Sequence, residues 1–176
     1  MRFNLAGPTV KIPGLELLSK VGAPGGIITP EYYLSLLTMH GTLMVFFVLT
    51  NGPFAAFGNY FLPIQIGAED MAFPRFNMMS FWTTFLAFCV LILAFFIPDG
   101  PPISGWTAYA PLSAVGTDAG PGLGWGQNLW AISIALFCAG SLLGALNFIA
   151  TTLDLRAKGM TLMRMPICTW AWFITS

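Results

Sequence analysis

His40 is the only histidine in the chain, and it stands where an ionisable side chain is costly. No Asp, Glu, Lys or Arg accompanies it between Tyr32 and Ala68. An ionisable group inside such an apolar run is a functional candidate by default. Two chemistries are open to it. The imidazole can hydrogen-bond a neighbouring helix, or it can serve as an axial ligand to a haem iron, which neutral imidazole suits. Spacing alone does not choose between them. Gly41 removes a side chain beside the imidazole, which would let a flat ring approach the backbone. Met44 and Phe47 share the His40 face at helical spacing and could pack on such a ring, as they could in simple helix packing. Bis-imidazole ligation needs two histidines, and a copper site needs more. A haem held by His40 therefore takes its other ligand from outside these 176 residues.

Asp70 is the second candidate. It lies beside Glu69 in a short polar segment, with Asn59 before it and Asn77 after it. It is either a solvated loop carboxylate or the mouth of a proton path, in which amides and hydroxyls beyond it hold a chain of water. Gly140, Gly144, Asn147 and Thr151 fall at spacings of 4, 3 and 4, on one helix face. The glycines let helices approach closely. Asn147, buried among them, needs partners of its own, and ordered water can serve. Trp106 could donate its indole N–H to an anionic group, or sit as an interfacial aromatic. Gly-rich phosphate loops, an HExxH pair and a serine with a nearby histidine are all missing.

The elements that must position these residues are membrane helices. The chain is 56% hydrophobic and only 8% charged, against roughly 25% charged in soluble domains, which excludes an ordinary water-exposed globule. Seven basic residues balance seven acidic ones, which excludes a basic nucleic-acid footprint as a main theme. The 15% aromatic content excludes disorder. A bilayer core takes about 20 apolar residues in a helix. The charge-free runs predict spans over about 32–62, bent near Pro53, over 79–97 and over 130–153, with the start of a fourth from 167. Residues 1–30, rich in Gly and Pro, hold no helix of spanning length and no signal-peptide core. Pro63 and Pro74 bracket a connecting loop. Cys89, Cys138 and Cys168 form no CxxC pair and read as small buried hydrophobes. No internal repeat of the kind common in transporters is visible. The fold class is all-α, a polytopic transmembrane helix bundle.

Lys and Arg placement orients the bundle. The 154–166 loop has three basic residues and the 98–128 loop has none. The 98–128 loop is thus expected outside, and 63–78 and 154–166 on the cytoplasmic side. Residues 1–30 then lie outside with three basic residues of their own, Arg2, Lys11 and Lys20, against the rule.

Four strings carry a family resemblance: MHGTLMVFFVLT, FGNYFLPIQIGAEDMAFPRFNMMSFW, GWTAYAPLS and GALNFIATTLDLRAKGMTLMRMP. From about Ile28 to Ser176 the chain resembles subunit I of the haem-copper terminal oxidases, and most of all the cytochrome c oxidase branch with an aspartate-headed proton channel. The resemblance implies an axial bond from His40 to the low-spin haem, Asp70 as the proton-uptake group, and Asn59, Asn77 and Asn147 lining the channel, with Ser141 as a companion. It implies contact of Trp106 with a propionate of the high-spin haem. The chain would then be a fragment of a twelve-helix oxidase subunit, covering helices two to four and the start of helix five. Residues 1–30 would be an outer-side loop following a missing first helix. The high-spin haem and copper would be held mainly by missing parts. GWGQNLW departs from the usual sequence before helix four, and Gly140 stands where many members have a serine.

The activity so implied is proton-pumping oxygen reduction to water by a respiratory cytochrome c oxidase in a cell membrane, the inner membrane of a bacterium. Its partners would be the remainder of subunit I, subunits II and III, cytochrome c as electron donor, and lipid. The fragment alone would be inactive. The alternatives are a quinol oxidase of the same superfamily and a non-catalytic scaffold or assembly subunit that uses the glycine stripe for helix contacts.

Overall fold

The computed structural model describes residues 11–15 and 22–176. Arg2, Lys20 and most of the segment read as a leading outer loop lie outside the described residues. The described residues are helical and contain no strand. Helix α1 runs from Pro30 to Ile66, α2 from Pro74 to Leu93 and α3 from Trp125 to Asp154. A short α4 covers Ile167–Thr175. The first three are long and apolar enough to cross a membrane.

Local chemistry sets the helix ends. Thr29 caps α1 by accepting the Tyr32 amide at 3.2 Å, with Pro30 in the first turn and Glu31 beside it. Proline suits that position because its missing N–H would have no partner there, and the acidic side chain meets the positive end of the helix dipole. The helix continues past Pro63 to Ile66, so Pro63 lies inside α1 rather than in a loop. Gly67, at φ 73°, ends it. The Gly67 amide reaches the Ile64 carbonyl and the Ala68 amide reaches that of Pro63, a paired closure that requires a left-handed residue after the last turn. Pro74 opens α2 instead of closing the preceding loop, again as a first-turn proline. The helix expected over 79–97 thus starts earlier and ends at Leu93. Arg156 ends α3 by donating to the Thr152 carbonyl at 2.6 Å.

Around Pro53 the bend expected in α1 takes the form of a π-helical stretch, Leu43–Gly58. Proline has no amide to give to the helical ladder, and a wider winding is one way for the surrounding carbonyls to find other donors. The α-helical register that would put Met44 and Phe47 on the His40 face stops at Thr42. Phe47 instead meets Phe137 and Phe88 edge-on, at ring distances of 5.2 and 5.8 Å.

The chain divides into two compact units. One comprises the described part of Met1–Leu43 with Leu91–Ala131, that is, the first turns of α1, the end of α2, the long loop that follows and the start of α3. The other comprises Met44–Val90 with Ile132–Ser176, and its core is Leu62, Ile66, Met71, Phe148 and Met165. In this second unit the small-residue stripe of α3 lies on α2. A Cβ on Gly140 would stand 2.6 Å from the Thr84 hydroxyl, and one on Gly144 3.3 Å from that of Ser80. Ser80 also donates to the Gly140 carbonyl at 2.6 Å. The three cysteines are free, and Cys138 and Cys168 are exposed, not buried as their apolar surroundings suggested.

Candidate functional site

In the first unit, one face of α1 carries Ser35, Thr38 and Thr42, all buried. Their spacing of three and four places them in one row. Each hydroxyl ties the helix to a segment that follows α2. Ser35 donates to the Pro101 carbonyl at 2.8 Å, Thr38 accepts the Gly105 amide at 3.0 Å, and Thr42 accepts the Trp130 indole N–H at 2.9 Å. The threonine hydrogens go to the carbonyls one turn back, those of Leu34 and Thr38. The row is thereby satisfied internally.

His40 lies two residues from both Thr38 and Thr42, which is about 200° around a helix and so on the opposite face. That face is open. His40 is exposed, and Leu37, one turn back, is 48% exposed. An imidazole there can reach a group that this chain does not itself surround. A flat ring does approach Gly41, as the missing side chain suggested, but it is the indole of Trp106. A Cβ on Gly41 would stand 2.9 Å from its Cδ1. Trp106 is itself 44% exposed.

The 98–128 loop is braced from within. Asp99 accepts the Gly122 and Gly124 amides, each at 3.1 Å, one on each carboxylate oxygen. Ser104 donates to Gln127 at 2.7 Å, and both are buried. Sequence reasoning passed over these residues and the Ser35–Thr38–Thr42 row. The signal for the row was present, as hydroxyls at helical spacing on an otherwise apolar helix. The bracing of Asp99 has no such local signature, because its partners lie more than twenty residues away.

In the second unit, Asp70 is exposed and accepts the amide of Met71, its chain neighbour, at 2.7 Å. The next two residues are tied to α3. The Ala72 amide reaches the Thr151 hydroxyl at 2.9 Å, and the Phe73 amide reaches Asn147 Oδ1 at 2.8 Å. Asn147 and Thr151 are fully buried. They cap the approach to α2 from another helix, which explains their spacing of four. Asn147 Nδ2 and Asn59 Oδ1 are buried and have no hydrogen-bond partner among the described residues. Their residues flank the contact of Gly58 with Phe148, where a glycine Cβ would stand 2.7 Å from the phenyl ring. Asn77 is half-buried near the start of α2. Ser141 stands elsewhere, on a cavity of about 720 Å³ that it lines with Thr50, Phe54, Phe137, Cys138 and Trp172. The structure therefore brings Asp70, Asn147 and Thr151 to one loop–helix junction and leaves Ser141 on another surface.

No group of three or more His, Cys, Asp or Glu side chains able to hold a metal occurs among the described residues. His40, exposed and the only histidine of the chain, is the residue here whose chemistry would suit a haem iron.

The whole chain, residues 1–176, matches the family model described as cytochrome C and quinol oxidase polypeptide I. The alternative cytochrome c oxidase subunit 1 of Bradyrhizobium diazoefficiens is 45% identical over 157 residues, covering 88% of this chain and 26% of that protein. Cytochrome c oxidase subunit 1 of Synechocystis is 44% identical over 149 residues, 85% of this chain and 25% of the relative. A putative cytochrome c oxidase subunit 1-beta of Streptomyces coelicolor is 40% identical across 176 residues, the full chain and 27% of the relative. The chain thus spans about a quarter of the length of these relatives. Its uninterrupted match to the family model and its identity to these subunits place this polytopic helical membrane protein in the cytochrome c and quinol oxidase polypeptide I family.

Proposed function

We propose that this chain forms part of the catalytic subunit of a proton-pumping cytochrome c oxidase that reduces oxygen to water in a bacterial cell membrane. In this reading it supplies helices two to four and the opening of helix five, with residues 1–30 as a leading outer loop. It works with the remainder of subunit I, with subunits II and III, and with cytochrome c as donor. The names of the relatives favour the cytochrome c branch.

The observation that carries the reading is the division of α1 into a hydrogen-bonded hydroxyl face and an open face bearing the only histidine. The hydroxyl row holds the helix from turning about its axis, so the imidazole stays directed away from its own unit. His40 would hold the low-spin haem and Trp106 would meet a propionate of the high-spin one. A bound haem would supply one-electron transfer; the copper centre would be held by other parts of the subunit.

Asp70, Asn59, Asn77, Asn147 and Ser141 would serve proton uptake. An exposed carboxylate collects protons from water. A buried amide with no partner costs about 1–3 kcal/mol, which an ordered water can offset. Asn147 Nδ2 and Asn59 Oδ1 are such atoms, one a donor and the other an acceptor. With Arg156, Lys158 and Arg164 on the cytoplasmic side, Asp70 opens to the cytoplasm.

The test is the reduced-minus-oxidised optical spectrum of the complete complex. His40→Ala should abolish the low-spin haem bands while the complex still assembles. An unchanged spectrum removes the ligand assignment.

A further inference from the structure

The helical turn that carries His40 also holds Trp106 at two points. Thr38 accepts the Gly105 amide at 3.0 Å, which fixes the backbone immediately before Trp106. The Thr38 hydrogen is already committed to the Leu34 carbonyl at 2.9 Å, so toward the loop this hydroxyl acts as acceptor. Gly105 has φ 77°, a conformation that favours glycine. Gly41 receives the side chain. A Cβ there would meet Trp106 Cδ1, Cγ and Cβ at 2.9, 3.3 and 3.4 Å. Thr38 and Gly41 are three apart and so neighbours on the helix surface. One grips the chain before the indole, and the other leaves room for the ring.

We infer that Thr38 and Gly41 are positioning residues that set Trp106 in register with His40. The inference rests on the reading of Trp106 as a haem-propionate contact and goes beyond it, because it assigns the geometry of that contact to the turn bearing the other haem's ligand. Ser35 and Thr42 tie the same helix to Pro101 and Trp130 independently. Loss of the Thr38 hydroxyl therefore shifts Trp106 without releasing the loop. An N–H donated to a carboxylate weakens the negative field near the iron. Displacing the indole strengthens that field and favours the oxidised metal, so the midpoint potential falls.

The experiment is a spectroelectrochemical titration of the complete oxidase complex. Trp106→Phe should lower the midpoint potential of one haem. Thr38→Val and Gly41→Ala should lower the same potential, while Thr38→Ser, which keeps the hydroxyl, should stay at the wild-type value. In a Trp106→Phe background, Gly41→Ala should add nothing, since residues that act through one contact are not additive. Should Gly41→Ala fail to assemble, the pair Gly41→Ala with Trp106→Ala, which removes the Cγ and Cδ1 atoms nearest the added methyl, should recover haem content, and continued failure overturns the role of Gly41. If Trp106→Phe lowers the potential while Thr38→Val and Gly41→Ala leave it unchanged, the positioning role is wrong and the haem reading stands. If Trp106→Phe and His40→Ala both leave every haem property unchanged, the haem reading fails and takes this inference with it.

Discussion

Asn147 Oδ1 accepts the Phe73 amide at 2.8 Å across 74 residues of chain, while the Nδ2 of the same side chain is buried without a partner among the described residues. One half of the amide is structural, and the other is a buried donor that an ordered water would satisfy. Four measurements follow from this and related contacts, each made on the complete subunit.

Thr151 receives the Ala72 amide and donates to the Asn147 carbonyl at 2.6 Å. Thr151→Val keeps the shape and strands the Ala72 amide, at about 1–3 kcal/mol. Asn147→Ala strands the Phe73 amide at similar cost. Denaturation of the purified complex should show both losses, with the haem spectrum unchanged. Equal stability of Thr151→Val and wild type would refute the capping role.

Asp70→Asn keeps an Oδ1 to accept the Met71 amide, so the loop should hold its shape. It removes the titratable group. Proton uptake by reconstituted vesicles should slow by more than about tenfold, within the range for loss of an acid–base group, with haem content unchanged. Normal uptake would eliminate Asp70 as the proton-collecting group.

Gly140→Val should force α3 from α2, because even a Cβ there stands 2.6 Å from the Thr84 hydroxyl and 3.2 Å from the Ser80 carbonyl. Overpacking of this kind costs about 1–3 kcal/mol. Gly144→Ala meets only the Ser80 hydroxyl at 3.3 Å and should be much milder. Thermal stability in detergent ranks the two, and the reverse order would contradict the packing.

Asp99→Ala deprives the Gly122 and Gly124 amides of their acceptors. Hydrogen bonds to a charged group contribute about 1.5–3 kcal/mol each. Hydrogen exchange should rise at residues 120–124 and stay unchanged at residues 140–150. Unaltered exchange in 120–124 would show that the carboxylate does not brace the loop.

The membrane class and the helices were legible in the chain because both follow from composition. Long charge-free runs have no other way to satisfy their backbone in lipid, and the stripe Gly140, Gly144, Asn147, Thr151 showed the packed face of α3 by period alone. His40 stood out for the same reason, as an ionisable group in an apolar run. Long-range partners were not legible. Nothing local says that the ring beside Gly41 is the indole of Trp106, that Asn147 caps a loop, or that Ser141 faces a cavity apart from Asp70. The exact ends of α1 and α2 also escaped, because proline serves equally as a helix opener and as a loop residue, and only the neighbouring hydrogen bonds decide which. Periodicity is a property of one helix and can be read along the chain. Which two faces meet depends on the joint packing of segments distant in sequence, and that was decided only by the tertiary structure.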